Sequence, residues 1–310
     1  MITISKINSN EVKYLCNDIY MNMKAKYRIN LNKWCSKHVA PVLQKVLNKS
    51  ISDKPFLDIM LLSHDEIEKL IEDSTIINLD YQYSIKSNKK IKGNKSLSIK
   101  DYLIGNVYKA ISKPARRKKI LSITNLSVCP YCNRNFMNSS DNKNTCELDH
   151  FWYKSEFPIF AASFYNLIPS CPSCNRNKGT KIFHLSPYNH KVSTDNRITF
   201  SWMPKNGDFL YNHHSIVIRA KTHDSFSHDY ALLDLNELYQ IHTDLVQDVL
   251  LKQIFIPEFY LNEICSILSL SKNDIDRLYT GVYTTEKDYN KRPLSKLISD
   301  IYSELGYFER

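Results

Sequence analysis

The chain has 310 residues, of which 43% are apolar and 24% charged, and its formal net charge is +10. This composition is ordinary for a soluble globular protein of two or three domains, and the 6 glycines and 11 prolines argue against long flexible linkers. The sequence opens without a secretory-signal pattern, and no apolar run approaches the ~20 residues of a transmembrane helix, so we expect a cytoplasmic protein. The positive charge suits a polyanionic partner such as nucleic acid, although a compositional bias toward Lys and Asn produces the same charge.

The pattern of apolar residues predicts a mostly helical α+β fold, and residues 1–120 form its first, helical region. Apolar residues recur at helical spacing around positions 33–38 and 42–47. Ser63 followed by Glu66 fits a capping box, in which the hydroxyl and the carboxylate each accept a backbone N–H at the start of a helix.

The end of this region holds a loop, a helix and a basic run. The stretch 84–96 is rich in Lys, Ser and Asn and is expected to be a loop. A helix over 101–111 should end before Pro114, because proline cannot continue a helical hydrogen-bond ladder. Four basic residues follow at 116–119. They are either a solvated helix face or an edge that contacts phosphates, and both interpretations stay open.

Two Cys-x-x-Cys pairs mark the central region, residues 121–190. In a reducing compartment such pairs indicate a metal site or a redox centre. A structural zinc site needs four thiolate or imidazole ligands in a tetrahedron. The two pairs supply this set, and the segment between them would be a folded insertion closed by the metal; unmetallated thiols or a redox pair are the alternatives. Cys146 has no partner at ligand spacing and stays unassigned. The four expected zinc ligands are Cys129, Cys132, Cys171 and Cys174.

Residues suited to phosphodiester hydrolysis lie between and just after these cysteines. Such hydrolysis needs an activated water and a cation that offsets charge on the phosphate. His150 suits the first task because imidazole titrates near neutral pH. The oxygens of Asp149, Asn166 and Asn175 suit a hard cation such as Mg²⁺ or Mn²⁺. Neighbouring side chains on a strand point to opposite faces, so Asp149 and His150 can serve one phosphate only if the strand ends or bulges there.

The central stretch resembles the HNH, or ββα-metal, endonuclease family. The resemblance covers about residues 128–181. It rests on four groups of residues: Glu147-Leu148-Asp149-His150-Phe151, Lys154-Ser155, Asn166-Leu167, and Cys171-x-x-Cys174-Asn175-x-x-Lys178-Gly179.

This resemblance implies a hairpin and a helix around one catalytic metal, stapled by the four-cysteine zinc site. His150 would be the general base, Asp149 and Asn175 would hold Mg²⁺ or Mn²⁺, and Asn166 would orient the ring of His150. Two basic residues would lie near substrate phosphates: Arg176 and Lys178.

Two positions depart from the family pattern. Asn175 stands where histidine is frequent, which favours Mg²⁺ or Mn²⁺ over softer ions. Tyr153 stands near a position where proline is frequent, which bears on the shape of the loop after His150. Asn175 is expected at the start of a short helix.

Residues 191–310 form the third region and begin with short strands. Strands are expected at 197–202 and 216–219, joined by a turn at 205–208. The other histidines of this half show no ligand spacing to one another and are expected to be surface or packing residues. These are His184, His190, His213, His214, His223, His228 and His242.

The rest of the third region is expected to be helical. A helical pattern runs through 234–251. Ser271 fits the start of a later helix, and Pro293 is expected in the first turn of the last one.

Two motifs in this region resemble the PtuB family, the nuclease subunits of Septu-type anti-phage systems, some of which accompany retrons. The motifs are Leu-Asn-Glu-Leu-Tyr…His-Thr-Asp from 235 and Arg-Pro-Leu-Ser-Lys-Leu from 292. This narrower resemblance implies an ATPase partner of the PtuA type. In a retron it would also imply a reverse transcriptase with its DNA product.

The sequence therefore predicts a metal-dependent endonuclease that acts on nucleic acid, with DNA favoured and RNA as the other substrate. The alternative is a non-catalytic, zinc-stabilised subunit that binds nucleic acid or serves as a scaffold. A thiol-disulfide oxidoreductase is disfavoured, because no thioredoxin-like strand-helix pattern surrounds either cysteine pair.

Overall fold

The computed structural model of the protein describes residues 2–91, 96–256, 263, 267 and 269–307. Over these residues the chain is mostly helical, with two small antiparallel sheets of two strands each. It divides into two compact units. We call Lys6–Thr124 with Asn138–Ser170 the N-terminal unit, and Met1–Ser5, Asn125–Met137 and Cys171–Arg310 the C-terminal unit.

Eight α-helices precede the hairpin of the N-terminal unit. They are α1 (Ser9–Met21), α2 (Ala25–His38), α3 (Ala40–Leu47), α4 (Pro55–Met60), α5 (His64–Glu72), α6 (Ile99–Tyr102), α7 (Tyr108–Ile111) and α8 (Pro114–Thr124). A π-helical turn, Leu103–Val107, joins α6 to α7. The helices predicted around 33–38, 42–47 and 101–111 are confirmed.

Local sequence signals set several of these helix ends. Ser63 and Glu66 form the predicted capping box at the start of α5, with both reciprocal hydrogen bonds present. The helical run ends at Ile111, and Pro114 opens α8 instead of continuing α7. Residues 92–95 of the predicted loop lie outside the described residues.

Apolar side chains from α2, α4 and α5 form the core of the N-terminal unit. Because burial of each such side chain contributes about 1.5–3 kcal/mol, these helices are held by packing more than by helix propensity. The indole N–H of Trp34 donates to the carbonyl oxygen of Asp80 at 3.3 Å, so this ring is buried with its polar atom paired. The fully buried core side chains include Leu31, Trp34, Cys35, Phe56, Ile59, Ile67 and Leu70.

A short hairpin completes the N-terminal unit. Strand β1 (Glu147–His150) pairs antiparallel with β2 (Leu167–Ser170), and His150 lies opposite Leu167. Two 3₁₀ turns, Pro158–Phe160 and Phe164–Asn166, lie in the loop between the strands.

Among the described residues, the C-terminal unit contains the second sheet and seven α-helices. Its elements are α9 (Pro172–Lys178), α10 (Thr194–Arg197), β3 (Ile198–Pro204), β4 (Ile216–Thr222), α11 (Asp224–Leu232), α12 (Leu235–Gln240), α13 (Thr243–Phe255), α14 (Lys272–Thr280) and α15 (Ser295–Glu304).

The second hairpin packs on the last helix. Strands β3 and β4 confirm the two strands predicted in this region and pair antiparallel over their full length. The backbone N–H of Phe200 in β3 donates to the carboxylate of Asp300 in α15 at 2.8 Å. The N–H of Trp202 donates to Glu304 at 3.3 Å. Side chains of α15 therefore satisfy donors at the open edge of this sheet.

The start of α15 differs from the prediction. Pro293 was expected in the first turn, but the helix begins at Ser295, after Leu294 in a left-handed conformation (φ 60°). The N–H of Leu294 donates to the backbone oxygen of Asn133 at 2.6 Å. The N–H of Lys296 donates to the side-chain oxygen of Asn133 at 3.2 Å. A residue distant in sequence thus caps this helix, which local sequence patterns do not reveal.

Candidate active site and metal centre

The two cysteine pairs meet in the C-terminal unit. The sulfurs of Cys129, Cys132, Cys171 and Cys174 all lie within 4.8 Å of one another, and all four residues are buried. These four cysteines can bind zinc, because four thiolates are a ligand set of structural zinc sites.

Hydrogen bonds to sulfur favour the thiolate form of cysteine in both Cys-x-x-Cys pairs. The N–H of Arg134 donates to the sulfur of Cys132 at 3.4 Å, and the N–H of Cys171 donates to the sulfur of Cys129 at 3.3 Å. The side-chain amide of Asn135 donates to the sulfur of Cys171 at 3.3 Å. Donors aimed at sulfur stabilise the thiolate form that binds a metal.

The electrostatics of the four-cysteine cluster favour a bound cation. Burial raises the pKa of the Cys129 thiol. Hydrogen bonds from the neighbouring thiols, with Cys129 the strongest, lower the pKa of Cys171. Four buried sulfurs at this separation cannot all be thiolates unless a positive ion lies among them.

The cysteines outside the cluster that the structure describes are buried packing residues. Cys146 is buried just before β1 and has its pKa raised by desolvation. Burial also raises the pKa of Cys16, to about 12. Thiols of this kind are unreactive packing residues at neutral pH.

The catalytic residues expected from the sequence occupy the end of β1. Asp149 is 3% exposed and His150 is 6% exposed. His150 is the last residue of the strand, and bends follow at 151 and 152. The strand therefore ends at His150, and this is the condition under which Asp149 and His150 can serve one phosphate.

The ring of His150 is held in one orientation. Its Nε2 lies 3.1 Å from the carbonyl oxygen of Ala161. Because a carbonyl oxygen only accepts, Nε2 carries the proton in the neutral ring, and Nδ1 is then the basic nitrogen. The ring of Tyr108 lies against the imidazole, with 4.5 Å between ring centroids.

Asn166 is buried, and its hydrogen bonds reach the loop that contacts the ring of His150. The side-chain oxygen of Asn166 accepts from the N–H of Trp152 at 2.8 Å. Its amide donates to the carbonyls of Trp152 and Phe160, each at 3.0 Å. Phe160 directly precedes Ala161, whose carbonyl contacts the imidazole. Asn166 thus fixes the loop that orients the ring and makes no direct hydrogen bond to the ring.

Asn166→Ala should lower both stability and activity, because three backbone groups of the loop, in Trp152 and Phe160, would lose their hydrogen bonds. We expect about 2–4 kcal/mol less stability, and a roughly 100-fold slower nuclease reaction through displacement of His150. Urea denaturation and plasmid cleavage measure the two effects. Asn142→Ala, at an exposed loop position, is the matched control and should change neither. Unchanged cleavage by folded Asn166→Ala would remove Asn166 from the site.

Two residues beside His150 were not singled out from the sequence. The hydroxyl of Tyr108 donates to the carbonyl of Leu148 in β1 at 3.0 Å. The ammonium of Lys154 lies 4.0 Å from the centroid of the Tyr108 ring. Burial lowers the pKa of Lys154, while the charge of Asp149 raises it. Lys154 belongs to the motif that carries the family resemblance, whereas no sequence signal marks Tyr108.

Helix α9 carries the other expected site residues, in the C-terminal unit. The helix begins at Pro172, so Asn175 lies in its middle and not at its start as predicted. Proline at the first position is already set for helical geometry, which explains the earlier beginning. Asn175 is partly exposed.

The two cations of α9 differ in access to solvent. Arg176 is exposed, and its Nε donates to the carbonyl of Pro172 at 3.2 Å. Lys178 is fully buried, with its ammonium 5.4 Å from the centroid of the Phe183 ring. This burial argues against the expected contact between Lys178 and a substrate phosphate and favours Arg176.

The basic run at 116–119 lies on α8, and most of its side chains bind other residues of the protein. This favours a solvated helix face over an edge that contacts phosphates. Lys119 is exposed. The other three have partners: Arg116 with Asp18, Arg117 with the carbonyl of Cys146, and Lys118 with Asp141.

Comparison with known proteins finds a family match in the stretch of chain that holds the expected site residues. No helix among the described residues combines the length and apolar character needed to cross a membrane. No curated protein and no solved structure matches the chain significantly. Residues 129–181 match the family model of the HNH endonucleases. This range holds the four clustered cysteines together with Asp149, His150, Asn166 and Asn175, so the match to an HNH endonuclease domain covers the residues singled out from the sequence.

Proposed function

We propose that the protein is a metal-dependent endonuclease that hydrolyses phosphodiester bonds in nucleic acid. The observation that carries the proposal is the state of His150, which lies at the end of β1 with Nε2 fixed on the carbonyl of Ala161. The match of residues 129–181 to HNH endonucleases supports nuclease activity in general terms.

His150 is the general base of this proposal. In the proposed step, Nδ1 takes a proton from a water molecule as the water oxygen attacks phosphorus. The bond between phosphorus and the leaving oxygen breaks, that oxygen departs with the electron pair, and the imidazole becomes doubly protonated. The carbonyl of Ala161 then stabilises the charged ring, because the Nε2–H hydrogen bond strengthens when the ring is positive. Burial of the residue restricts movement of the ring.

Asp149 and Asn175 are the proposed ligands of the catalytic cation, Mg²⁺ or Mn²⁺. A carboxylate and an amide oxygen fit these hard ions, which prefer oxygen ligands. When bound, the cation supplies positive charge that offsets the charge on the phosphate and on the leaving oxygen. Arg176 is the proposed contact to a flanking phosphate, because its guanidinium is exposed.

The substrate we favour is DNA, with RNA as the alternative. The net charge of +10 supports binding of either polyanion and does not separate them. Purified protein should therefore be incubated with plasmid, single-stranded DNA and cellular RNA, each with Mg²⁺, Mn²⁺ or EDTA. Cleavage of one class with a divalent ion defines the substrate.

The biological role we propose is that of an effector in cytoplasmic anti-phage defence. The PtuB-like motifs of the C-terminal region support it, and they suggest a PtuA-type ATPase and, in a retron, a reverse transcriptase with its DNA product as partners. Co-purification with the products of neighbouring genes tests this role separately from the cleavage assay.

Asp149→Ala should retain zinc and lose cleavage that depends on Mg²⁺. The change removes the carboxylate of the proposed cation site and leaves the four cysteines intact. Because charge stabilisation by a metal is worth several kcal/mol, we expect a loss of about 100-fold or more. Cleavage rates over a Mg²⁺ titration measure the effect.

The matched control is Asp141→Ala, which removes an exposed carboxylate whose partner is Lys118. It should cleave at the parent rate, since its ion pair lies on the surface. If Asp149→Ala also cut at the parent rate across the Mg²⁺ titration, Asp149 would not be a cation ligand.

A further inference from the structure

Two histidines and a carboxylate come together in the C-terminal unit, away from the four cysteines. Ligand atoms of His184, His228 and Asp229 all lie within 4.8 Å of one another. The sequence spacing of these histidines gave no sign of this, because His184 lies in the loop after α9 and His228 lies in α11. Both histidines are exposed, as expected of surface residues, and the fold brings them together.

Backbone N–H donors hold the carboxylate of Asp229 in place. Asp229 is fully buried. Its oxygens accept from the N–H of His184 at 2.9 and 3.1 Å and from the N–H of Leu185 at 2.9 Å. These bonds fasten the loop to α11 and prevent the carboxylate from rotating away. A carboxylate held in this way is a preorganised ligand.

The two imidazoles cover the carboxylate from the solvent side. Their rings are stacked, with centroids 4.2 Å apart and planes 9° from parallel. The Nδ1 of His228 lies 3.3 Å from Oδ1 of Asp229. The side chain of His228 is 45% exposed, so an ion and its waters can reach the group.

We propose that His184, His228 and Asp229 form a second metal site, which takes a divalent transition-metal ion of the Zn²⁺ class. Two imidazoles and one carboxylate suit Zn²⁺, Co²⁺ or Ni²⁺ better than Mg²⁺, which prefers an all-oxygen shell. Three protein ligands with open access leave a position for water, unlike the closed four-cysteine set.

The distances fit such an ion once the exposed rings turn out of their stack. Ligands of a tetrahedral Zn²⁺ at about 2.1 Å lie about 3.4 Å apart. Nδ1 of His228 and Oδ1 of Asp229, at 3.3 Å, already have this separation. Because all ligand atoms lie within 4.8 Å of one another, any other pair must approach by at most about 1.4 Å. Rotation of the two rings, which now lie nearly parallel, supplies this approach without movement of Asp229. The bound ion would tie the segment after α9 to α11.

Metal content of purified protein tests the proposal. The parent and the double variant His184→Ala/His228→Ala are saturated with Zn²⁺, passed through a desalting column and analysed for zinc per chain. The double variant should hold one equivalent fewer than the parent, because both retain the four cysteines and the HNH residues. Added Zn²⁺ should raise the melting temperature of the parent more than that of the variant.

The matched control is His213→Ala/His214→Ala. These two rings are also adjacent, with centroids 4.0 Å apart, but among the described residues they belong to no three-ligand group. This control should keep the zinc content of the parent. The single variant His228→Gln, at a half-exposed position, guards against misfolding and should lose the same equivalent. Equal zinc content in the parent and both His228 variants would overturn the proposal.

Discussion

Cys171→Ser should lose zinc and leave the central region unfolded. Binding of structural zinc contributes about 10–16 kcal/mol in zinc-finger peptides, and that free energy is folding free energy. This loss is as large as the whole free energy of unfolding of a typical domain, roughly 5–15 kcal/mol. The variant should therefore be insoluble or melt far below the parent. A slower reaction with intact melting is not expected.

Zinc content and thermal melting measure this effect together. Cys146→Ala is the matched control, because Cys146 is also buried in the central stretch but lies outside the cluster. It should retain one structural zinc and lose only about 1 kcal/mol, as expected for deletion of one small buried group. The assignment of zinc to the cluster fails if Cys171→Ser has the zinc content and melting temperature of the parent.

The second large effect is expected on substitution of His150, the proposed general base. His150→Gln should abolish cleavage and keep the fold, because a glutamine amide can donate to the carbonyl of Ala161 as Nε2 does now. The amide has no basic lone pair to replace Nδ1. General-base catalysis contributes about 10²–10⁴-fold, so cleavage should fall by at least about 100-fold.

The zinc content, melting temperature and nucleic-acid binding of His150→Gln should equal those of the parent. This combination separates a catalytic defect from a structural one. A variant that binds DNA, keeps its zinc and still cleaves at the parent rate would show that another group serves as the base.

Local signals in the sequence predicted much of the fold correctly. The capping box of Ser63 and Glu66 acts within one helical turn, so its geometry can be inferred from residue spacing alone. The convergence of the four cysteines was also predictable, because each Cys-x-x-Cys turn supplies two sulfurs and one zinc ion takes four.

Features set by distant contacts could not be predicted in this way. The last helix begins at Ser295 because it is capped by Asn133, a residue 163 positions before Lys296 in the sequence. Likewise, Asn166 acts on His150 through the carbonyl of Ala161, a relation that depends on how the loop folds. Residue identity suggested that Asn166 belongs to the site, but only coordinates show what it contacts.

Tyr108 and Lys178 illustrate the same limit for the site. Tyr108 reaches β1 from a helix in another part of the sequence, and its residue type alone points to no role. Lys178 has the charge of a phosphate ligand, yet its side chain is fully buried. Burial depends on the packing of the whole unit, which a motif of fixed spacing does not encode.

The most direct test compares the parent and His150→Gln in one cleavage assay, at equal zinc content, with plasmid DNA and cellular RNA in the presence of Mg²⁺ or EDTA. We predict that the parent cleaves at least one of these substrates only when the divalent ion is present, and that the variant binds the same substrate without cutting it. Binding by both proteins with cleavage by neither, under all these conditions, would contradict the nuclease assignment and leave a zinc-stabilised binding subunit.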